Sequence, residues 1–212
     1  MLSEKTRKGK KIVALFDFDG TITGNDSLIE FIFFAKGFRR FLKGFFLLSP
    51  VILAYKLGLI PNHRAKKIVI SHFFKGMPED RFKRKAAEYA LLRIAQNVRK
   101  PAMERLRWHR NKGHRVIIVS ASIECWLEKW CDKNGFELIG TKLEYANGIV
   151  TGKFATRNCY GPEKVIRVKA LLDLSNYETI YAYGDSKGDR ELLQIADRKF
   201  FKPFRKARCI FG

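Results

Sequence analysis

Hydrophobic positions fall into three regimes along the chain. Ile12–Phe16 is a short apolar run rich in strand formers, and it stops at Asp17-Phe18-Asp19-Gly20-Thr21. That pattern predicts a buried strand entering a turn at Gly20. From 26 to 99 the pattern is helical. Asp26 or Ser27 is placed to cap a helix through Leu28, Phe31, Ile32 and Phe34. A second helical segment covers 39–58, with a break expected at Pro50. A third runs from Asn62 to Phe74 and ends at Gly76, and Pro78-Glu79-Asp80 opens a fourth. No strand pattern occurs in this stretch.

Beyond Pro101, helices and strands alternate. A helix through Met103, Leu106 and Trp108 stops at Lys112-Gly113. The β-branched run Arg115–Val119 then ends at Ser120. A helix over 122–134, with Ser122 as its N-cap, closes at Asn134-Gly135. Residues Glu137–Phe154 alternate and contain Asn147-Gly148, a dipeptide suited to a type I′ hairpin turn. A helix over 162–173, a buried strand Thr179–Tyr183 ending at Gly184-Asp185, a helix over 187–196 and a short strand near Lys199–Phe201 follow. Alternation of this kind predicts an α/β fold: a Rossmann-like, mostly parallel sheet with helices on both faces. A parallel crossover needs about a dozen residues, yet 98 lie between Thr21 and Ser120. The surplus predicts a helical cap inserted after the first strand. The chain thereby divides into a core domain, residues 1–24 and 100–212, and a helical cap domain, residues 25–99.

Composition narrows the chemistry. The 212 residues are 46% hydrophobic, enough for a real core, which excludes wholesale disorder. Lys and Arg number 42 against 21 Asp and Glu, a net charge of +21 that attracts phosphate esters, nucleic acid or an acidic membrane. Cys125, Cys131, Cys159 and Cys209 show no C-x-x-C spacing, which argues against zinc and thioredoxin-type sites and suits a reducing cytoplasm. The basic start, Lys5 to Lys11, precedes an apolar run too short for a signal peptide. The longest uncharged run, Gly44 to Tyr55, is too short to span a bilayer. His63, His72, His109 and His114 match no ligand spacing, and Trp126, Trp130 and Cys131 read as helix packing.

Ligands of open α/β sheets bind beyond the carboxyl ends of the strands. Three predicted strands end in Asp17-Phe18-Asp19, in Ser120 and in Gly184-Asp185, with Asp189 close behind. Carboxylates gathered in one crevice repel each other and are costly to desolvate. A divalent cation removes that penalty, and oxygen ligands without His or Cys favour Mg2+. Lys164, in Gly161-Pro162-Glu163-Lys164 at a helix start, is placed to neutralise phosphate charge. Each residue also has an ordinary reading. Asp17 and Asp19 can be turn or capping residues, Ser120 a strand end, Lys164 a solvated lysine and Asp189 a first-turn acid.

Taken in order, these segments resemble the haloacid dehalogenase (HAD) superfamily. Asp17-Phe18-Asp19-Gly20-Thr21 matches its D-x-D-G-T signature, Ser120 its second motif, Lys164 its third, and Gly184-Asp185 with Asp189 its fourth. The helical insert resembles the cap of the phosphoserine-phosphatase-like branch, subfamily IB. The resemblance implies a HAD-like fold and a Mg2+-dependent phosphomonoester hydrolase. Asp17 would be the nucleophile that forms an aspartyl-phosphate, and Asp19 the acid and then the base. Mg2+ would be held by Asp17, the backbone carbonyl of Asp19 and Asp185. Ser120 and Lys164 would grip the phosphoryl oxygens with amides near Phe18 to Gly20, Thr21 would join Phe18 and Gly20 in binding the substrate, and Asp189 would orient Lys164 or bound water.

Substrate choice stays open at this level. Asp26 stands where phosphoserine phosphatases carry the acid that meets the substrate amine, but it is shorter than the usual glutamate and doubles as a helix cap. Residues 27–78 hold nine Lys and Arg against Glu30 alone, interleaved with Phe41, Phe45, Phe46, Leu47, Leu48, Val51, Ile52, Leu53 and Tyr55. That mixture suits an anionic membrane surface or, equally, the cap's own core. Together with Cys159–Val165 it is similar to bacterial phosphatidylglycerophosphatases of the superfamily, which implies a lipid phosphate and a place at the inner face of the membrane. A basic nucleic-acid-binding protein without catalysis fits the charge, but no recognised nucleic-acid-binding motif occurs and no specific nucleic acid is expected as partner.

Overall fold

The structure, a computed structural model, describes residues 11–205. The basic start before Lys11 and Cys209 lie outside the described residues. β1 (Lys11–Phe16) occupies the middle of a five-stranded sheet and runs parallel to β2 (Arg115–Ile123) on one side. β3 (Glu137–Thr141) lies beyond β2. β4 (Leu143–Ala146) and β5 (Ile149–Phe154) form a separate antiparallel hairpin. Its turn residues Asn147 and Gly148 have φ of 51° and 71°, the left-handed pair a type I′ turn requires. β6 (Tyr177–Gly184) lies on the other flank of β1, and β7 (Arg198–Phe201) beyond it. The sheet order β3-β2-β1-β6-β7 is parallel throughout and reverses direction between β1 and β6. A crevice opens at such a reversal, at the carboxyl ends of the strands.

The period-2 pleat explains why the strands are apolar on both faces. Val13 and Leu15 of β1 join Ile117 and Val119 of β2 in one buried cluster, while Ala14 and Phe16 join Val116 and Ile118 in another. Helices α1 (Ser27–Leu47), α2 (Ser49–Lys56), α3 (Asn62–Phe74), α4 (Glu79–Leu92) and α5 (Ile94–Asn97) form the insert between β1 and β2. Helices α6 (Lys100–Asn111) and α7 (Glu128–Asn134) cover the Phe16 face of the sheet, and α8 (Pro162–Leu171) and α9 (Arg190–Gln194) the Leu15 face. An aromatic seam joins insert to core. Phe31 of α1 stacks on Trp126 at 4.8 Å and meets Phe74, Phe82 and Tyr89 at 5.3–5.5 Å. Such pairs add about 0.5–1.5 kcal/mol each beyond the burial of their area.

Several boundaries differ from the sequence expectation. The first two helices of the insert are divided at Gly37 and at Leu48. Gly37 takes φ 74°, a conformation that interrupts α1 and that glycine adopts without penalty. Pro50 sits in the first turn of α2, where its missing N–H costs nothing, so the break falls before it. β2 runs on past Ser120 to Ile123 with an irregular register, so Ser122 belongs to a strand and is not a helix cap. The α-helix expected from 122 begins only at Glu128, after a single tighter turn. The helix expected to reach 173 ends at Leu171, and the one expected over 187–196 shortens to Arg190–Gln194 after another tight turn.

Trp126, Trp130 and Cys131 are buried packing residues as expected. His109 is fully buried between Tyr183 Oη at 2.9 Å and His114 Nδ1 at 2.8 Å. Burial, helped by His114, pulls its pKa down to about 3.

Candidate active site

The site forms where three strand ends meet. Asp17 directly follows β1, and its N–H donates to the Tyr183 carbonyl of β6 at 2.9 Å, which locks the turn to the neighbouring strand. Gly20 then takes φ 81°. A Cβ there would fall onto the Asp185 carboxylate, so only glycine lets the two acidic turns approach. Thr21 Oγ1 donates to Asp17 Oδ2 at 3.0 Å and is buried.

Lys164, at the start of α8, is about 1% exposed although it is a lysine. Its Nζ donates to Asp17 Oδ1 at 2.6 Å, to the Val119 carbonyl at 2.7 Å and to Asp189 Oδ1 at 2.6 Å. All three ammonium hydrogens are thereby used: one on the turn after β1, one on β2 and one on the turn after β6. Asp189 Oδ2 accepts from the backbone N–H of Asp185 and Ser186 and from Ser186 Oγ. Burial works against the Lys164 ammonium, but Asp17 and Asp189 outweigh it and hold its pKa up. Asp189 is drawn below the usual carboxylate range, since Lys164 and Ser186 overcome its burial. Asp17 is pushed up to about 7 by burial, which Lys164 only partly offsets.

Asp17, Asp185 and Asp189 place one carboxylate oxygen each within 4.8 Å of one another. The donor set is all oxygen, and its single buried ammonium leaves Asp17 strained toward protonation. A hard divalent cation fits both features. Asp185 is otherwise engaged through Oδ2 by the Arg205 guanidinium.

Asp19 faces the other way, toward the insert. Its Oδ1 accepts from the Ser27 N–H at 2.7 Å and its Oδ2 from Ser27 Oγ at 3.1 Å and from Ser122 Oγ. The two serine hydroxyls lie 2.7 Å apart, and Trp126 Nε1 donates to Ser27 Oγ at 3.2 Å. Burial, with Asp26 nearby, pushes the Asp19 pKa up to about 6, against the hydrogen bonds from Ser122 and Ser27.

A cavity of about 520 Å³ rises from this floor. Asp17, Asp19, Ser120, Lys164, Ser186 and Asp189 line its base, and α1, α2 and α3 supply walls that include Ile32, Phe41, Leu48, Val51, Ile52 and Phe73. Ser120 is buried, and its Oγ accepts from the Ser122 N–H at 3.0 Å. Asp26 lines the cavity and also caps α1, accepting from the N–H of Leu28 and Ile29. Phe18, Gly20 and Thr21 do not line it: Phe18 is buried against Trp130 at 5.4 Å, and Thr21 turns to Asp17. Three participants escaped the sequence reading. Ser122 and Ser27 bond Asp19, and Lys66 of α3 reaches down to donate to the Ala121 carbonyl at 2.6 Å. Burial lowers the Lys66 pKa, with Asp19 and Asp26 opposing.

A parallel sheet that gathers carboxylates and one lysine at its reversal point, beneath an inserted helical layer, defines a capped α/β enzyme. The chain belongs to the haloacid dehalogenase-like hydrolases, whose family model matches residues 14–194. Protein CicA of Caulobacter vibrioides (strain NA1000 / CB15N) is 32% identical over 196 residues, which covers 92% of this chain and 87% of that protein. Among solved structures, a protein of unknown function from Bordetella pertussis Tohama I superposes with a TM-score of 0.80 at 22% identity, over 90% of this chain and 89% of that one. A substrate-bound phosphoserine phosphatase superposes with a TM-score of 0.60 at 19% identity, over 91% and 86%. At these identities the two structures carry the shared fold. Membership in a hydrolase family stands against the non-catalytic nucleic-acid-binding reading.

Proposed function

We propose that this hydrolase is a Mg2+-dependent phosphatase that cleaves phosphomonoesters through an aspartyl-phosphate on Asp17. The observation that carries the reading is the convergence of Asp17, Lys164, Asp185 and Asp189 on one small volume beneath the cavity. An Asp17 oxygen attacks phosphorus, and the bond to the leaving oxygen breaks. Asp19 gives that oxygen a proton, then takes one from the water that attacks the acyl phosphate, so inorganic phosphate departs and Asp17 is restored. A carboxyl raised to about 6 is suited to both tasks. Ser120 and backbone amides of Phe18 to Gly20 hold phosphoryl oxygens, and Lys164 joins them by turning one of its three hydrogens from its present partner to the substrate. Asp189 keeps Lys164 aimed, and Thr21 keeps Asp17 aimed. Asp17, the Asp19 carbonyl and Asp185 would hold Mg2+, which supplies charge neutralisation at the phosphoryl group. Residues 25–99 act as the cap that closes over this floor.

The cavity walls favour a second, narrower reading, a lipid phosphate. Asp26, the counterpart of the acid that meets phosphoserine's amine, is occupied as a cap, and no arginine lines the cavity among the described residues. The apolar side chains of α1–α3 suit a substrate with an apolar body. Turnover of p-nitrophenyl phosphate with EDTA and with added Mg2+ tests the reaction. It should vanish in the first and return in the second. Comparing phosphatidylglycerophosphate with phosphoserine tests the substrate, and preference for phosphoserine would discard the lipid reading.

A further inference from the structure

The outer face of the insert carries a surface that the catalytic reading does not use. Among the described residues, twenty large hydrophobic side chains are exposed, and nine of them fall between 38 and 59. Phe38, Phe46, Leu47, Leu53, Leu57 and Leu59 are 57–73% exposed, on the second half of α1, on α2 and on the turn after it. Exposed apolar residues scattered singly need no explanation, but a concentrated patch marks an interaction site. Arg39, Arg40, Lys43 and Lys56 are exposed in the same segment, which contains no acidic residue. Phe45 and Tyr55 belong both to this surface and to the cavity wall, so the patch is continuous with the cavity.

We infer that residues 38–59 are a docking surface for an anionic lipid bilayer. The apolar side chains enter the boundary between headgroups and acyl chains, and the four cations meet the headgroup charge. The charge selects this occupant. A second copy of the same face would bring four cations against four, whereas an anionic membrane supplies the opposite sign. Chain breaks at Gly37 and at Leu48 bound Phe38–Leu47, so this part of α1 is a short helix set off from α2 and from the start of α1. The inference concerns the surface and stands whether or not the substrate proves to be a lipid.

The test is co-sedimentation of the full chain with vesicles of phosphatidylcholine alone and of phosphatidylcholine mixed with phosphatidylglycerol, alongside turnover of p-nitrophenyl phosphate. The chain should bind the mixed vesicles and not the neutral ones. The combined variant Phe46→Ser, Leu47→Ser, Leu57→Ser, Leu59→Ser keeps every charge, and none of its positions lines the cavity. It should lose about tenfold or more in vesicle binding with turnover unchanged. Arg39→Glu with Arg40→Glu should weaken binding to the mixed vesicles as well. Undiminished binding by the serine variant would mean simple electrostatic adsorption of a basic protein and would overturn the inference. So would absence of binding, or a concentration-dependent dimer that the same serine changes dissolve. If p-nitrophenyl phosphate is not hydrolysed while vesicle binding behaves as expected, the phosphatase reading fails and the docking surface remains.

Discussion

The floor of the site and the helical layer above it are built on opposite principles. The floor is polar, buried and cross-bonded: Lys164, Asp17, Asp189, Ser186 and Thr21 satisfy one another at hydrogen-bond distances. The layer above is apolar toward the cavity, and over 38–59 it exposes both basic and apolar side chains. They are joined at Asp19 through Ser27 and at Ala121 through Lys66. The difference teaches where accuracy is needed. Phosphoryl transfer demands charges held to fractions of an ångström, which strand ends provide. Recognition of an apolar body asks for area and shape, which short helices provide.

The contrast can be broken most severely at the floor. Asp17→Asn should reduce turnover of p-nitrophenyl phosphate by roughly 10⁴-fold or more, with the circular dichroism spectrum unchanged. A variant that retains substantial turnover would remove Asp17 from its role. Lys164→Met strands two buried carboxylates. It should destabilise the fold by about 3–5 kcal/mol in urea titrations without divalent cation, and Mg2+ should recover part of the loss.

Effects should be smaller and selective on the cavity wall. Phe41→Ala or Ile52→Ala should raise KM for an apolar phosphomonoester by about tenfold while leaving p-nitrophenyl phosphate nearly untouched. Equal loss on both substrates would mean that the wall serves the fold and not recognition.

Where the two regions meet, pH separates them. In its proposed role of general acid, Asp19 must be protonated, so kcat/KM should fall as pH rises through its pKa, near 6. Ser122→Ala removes a bond that favours the carboxylate and should move this limb to higher pH. Asp26→Asn removes a charge that disfavours it and should move the limb lower, each by less than about one pH unit. Limbs that move together would refute the assignment.

The smallest expected effect lies away from both regions. His109 has its pKa depressed to about 3 in the fold against about 6.5 unfolded. Below pH 6.5 the unfolded chain therefore binds the extra proton, and stability drains away as pH falls toward 3. His109→Asn should lower Tm at neutral pH but flatten its decline between pH 6.5 and 5.

What the sequence reveals follows the same division. Asp17, Asp19, Lys164 and Asp185 are legible because each sits at the end of an apolar run or at a helix start, and strand period and turn residues mark those ends. Ser27 and Ser122 are not legible. They lie 95 residues apart, and their roles arise only when α1 folds back onto the extended β2. Lys66 reads as one cap lysine among many, and only the path of α3 brings its Nζ to Ala121. The break at Gly37 was hidden because glycine within a helical pattern is often tolerated, and the extra length of β2 because an irregular register leaves no periodic trace.

One ammonium group ties three strands together: Asp17 after β1, the Val119 carbonyl within β2 and Asp189 beyond β6. It works as a keystone. The carboxyl edge of the sheet cannot splay without pulling Lys164 from at least one partner, so the first loosening of that edge on heating also disassembles the proposed reaction centre. Thermal inactivation should then coincide with the onset of amide exchange along these strand ends, well before the helices of α1 to α5 have to melt.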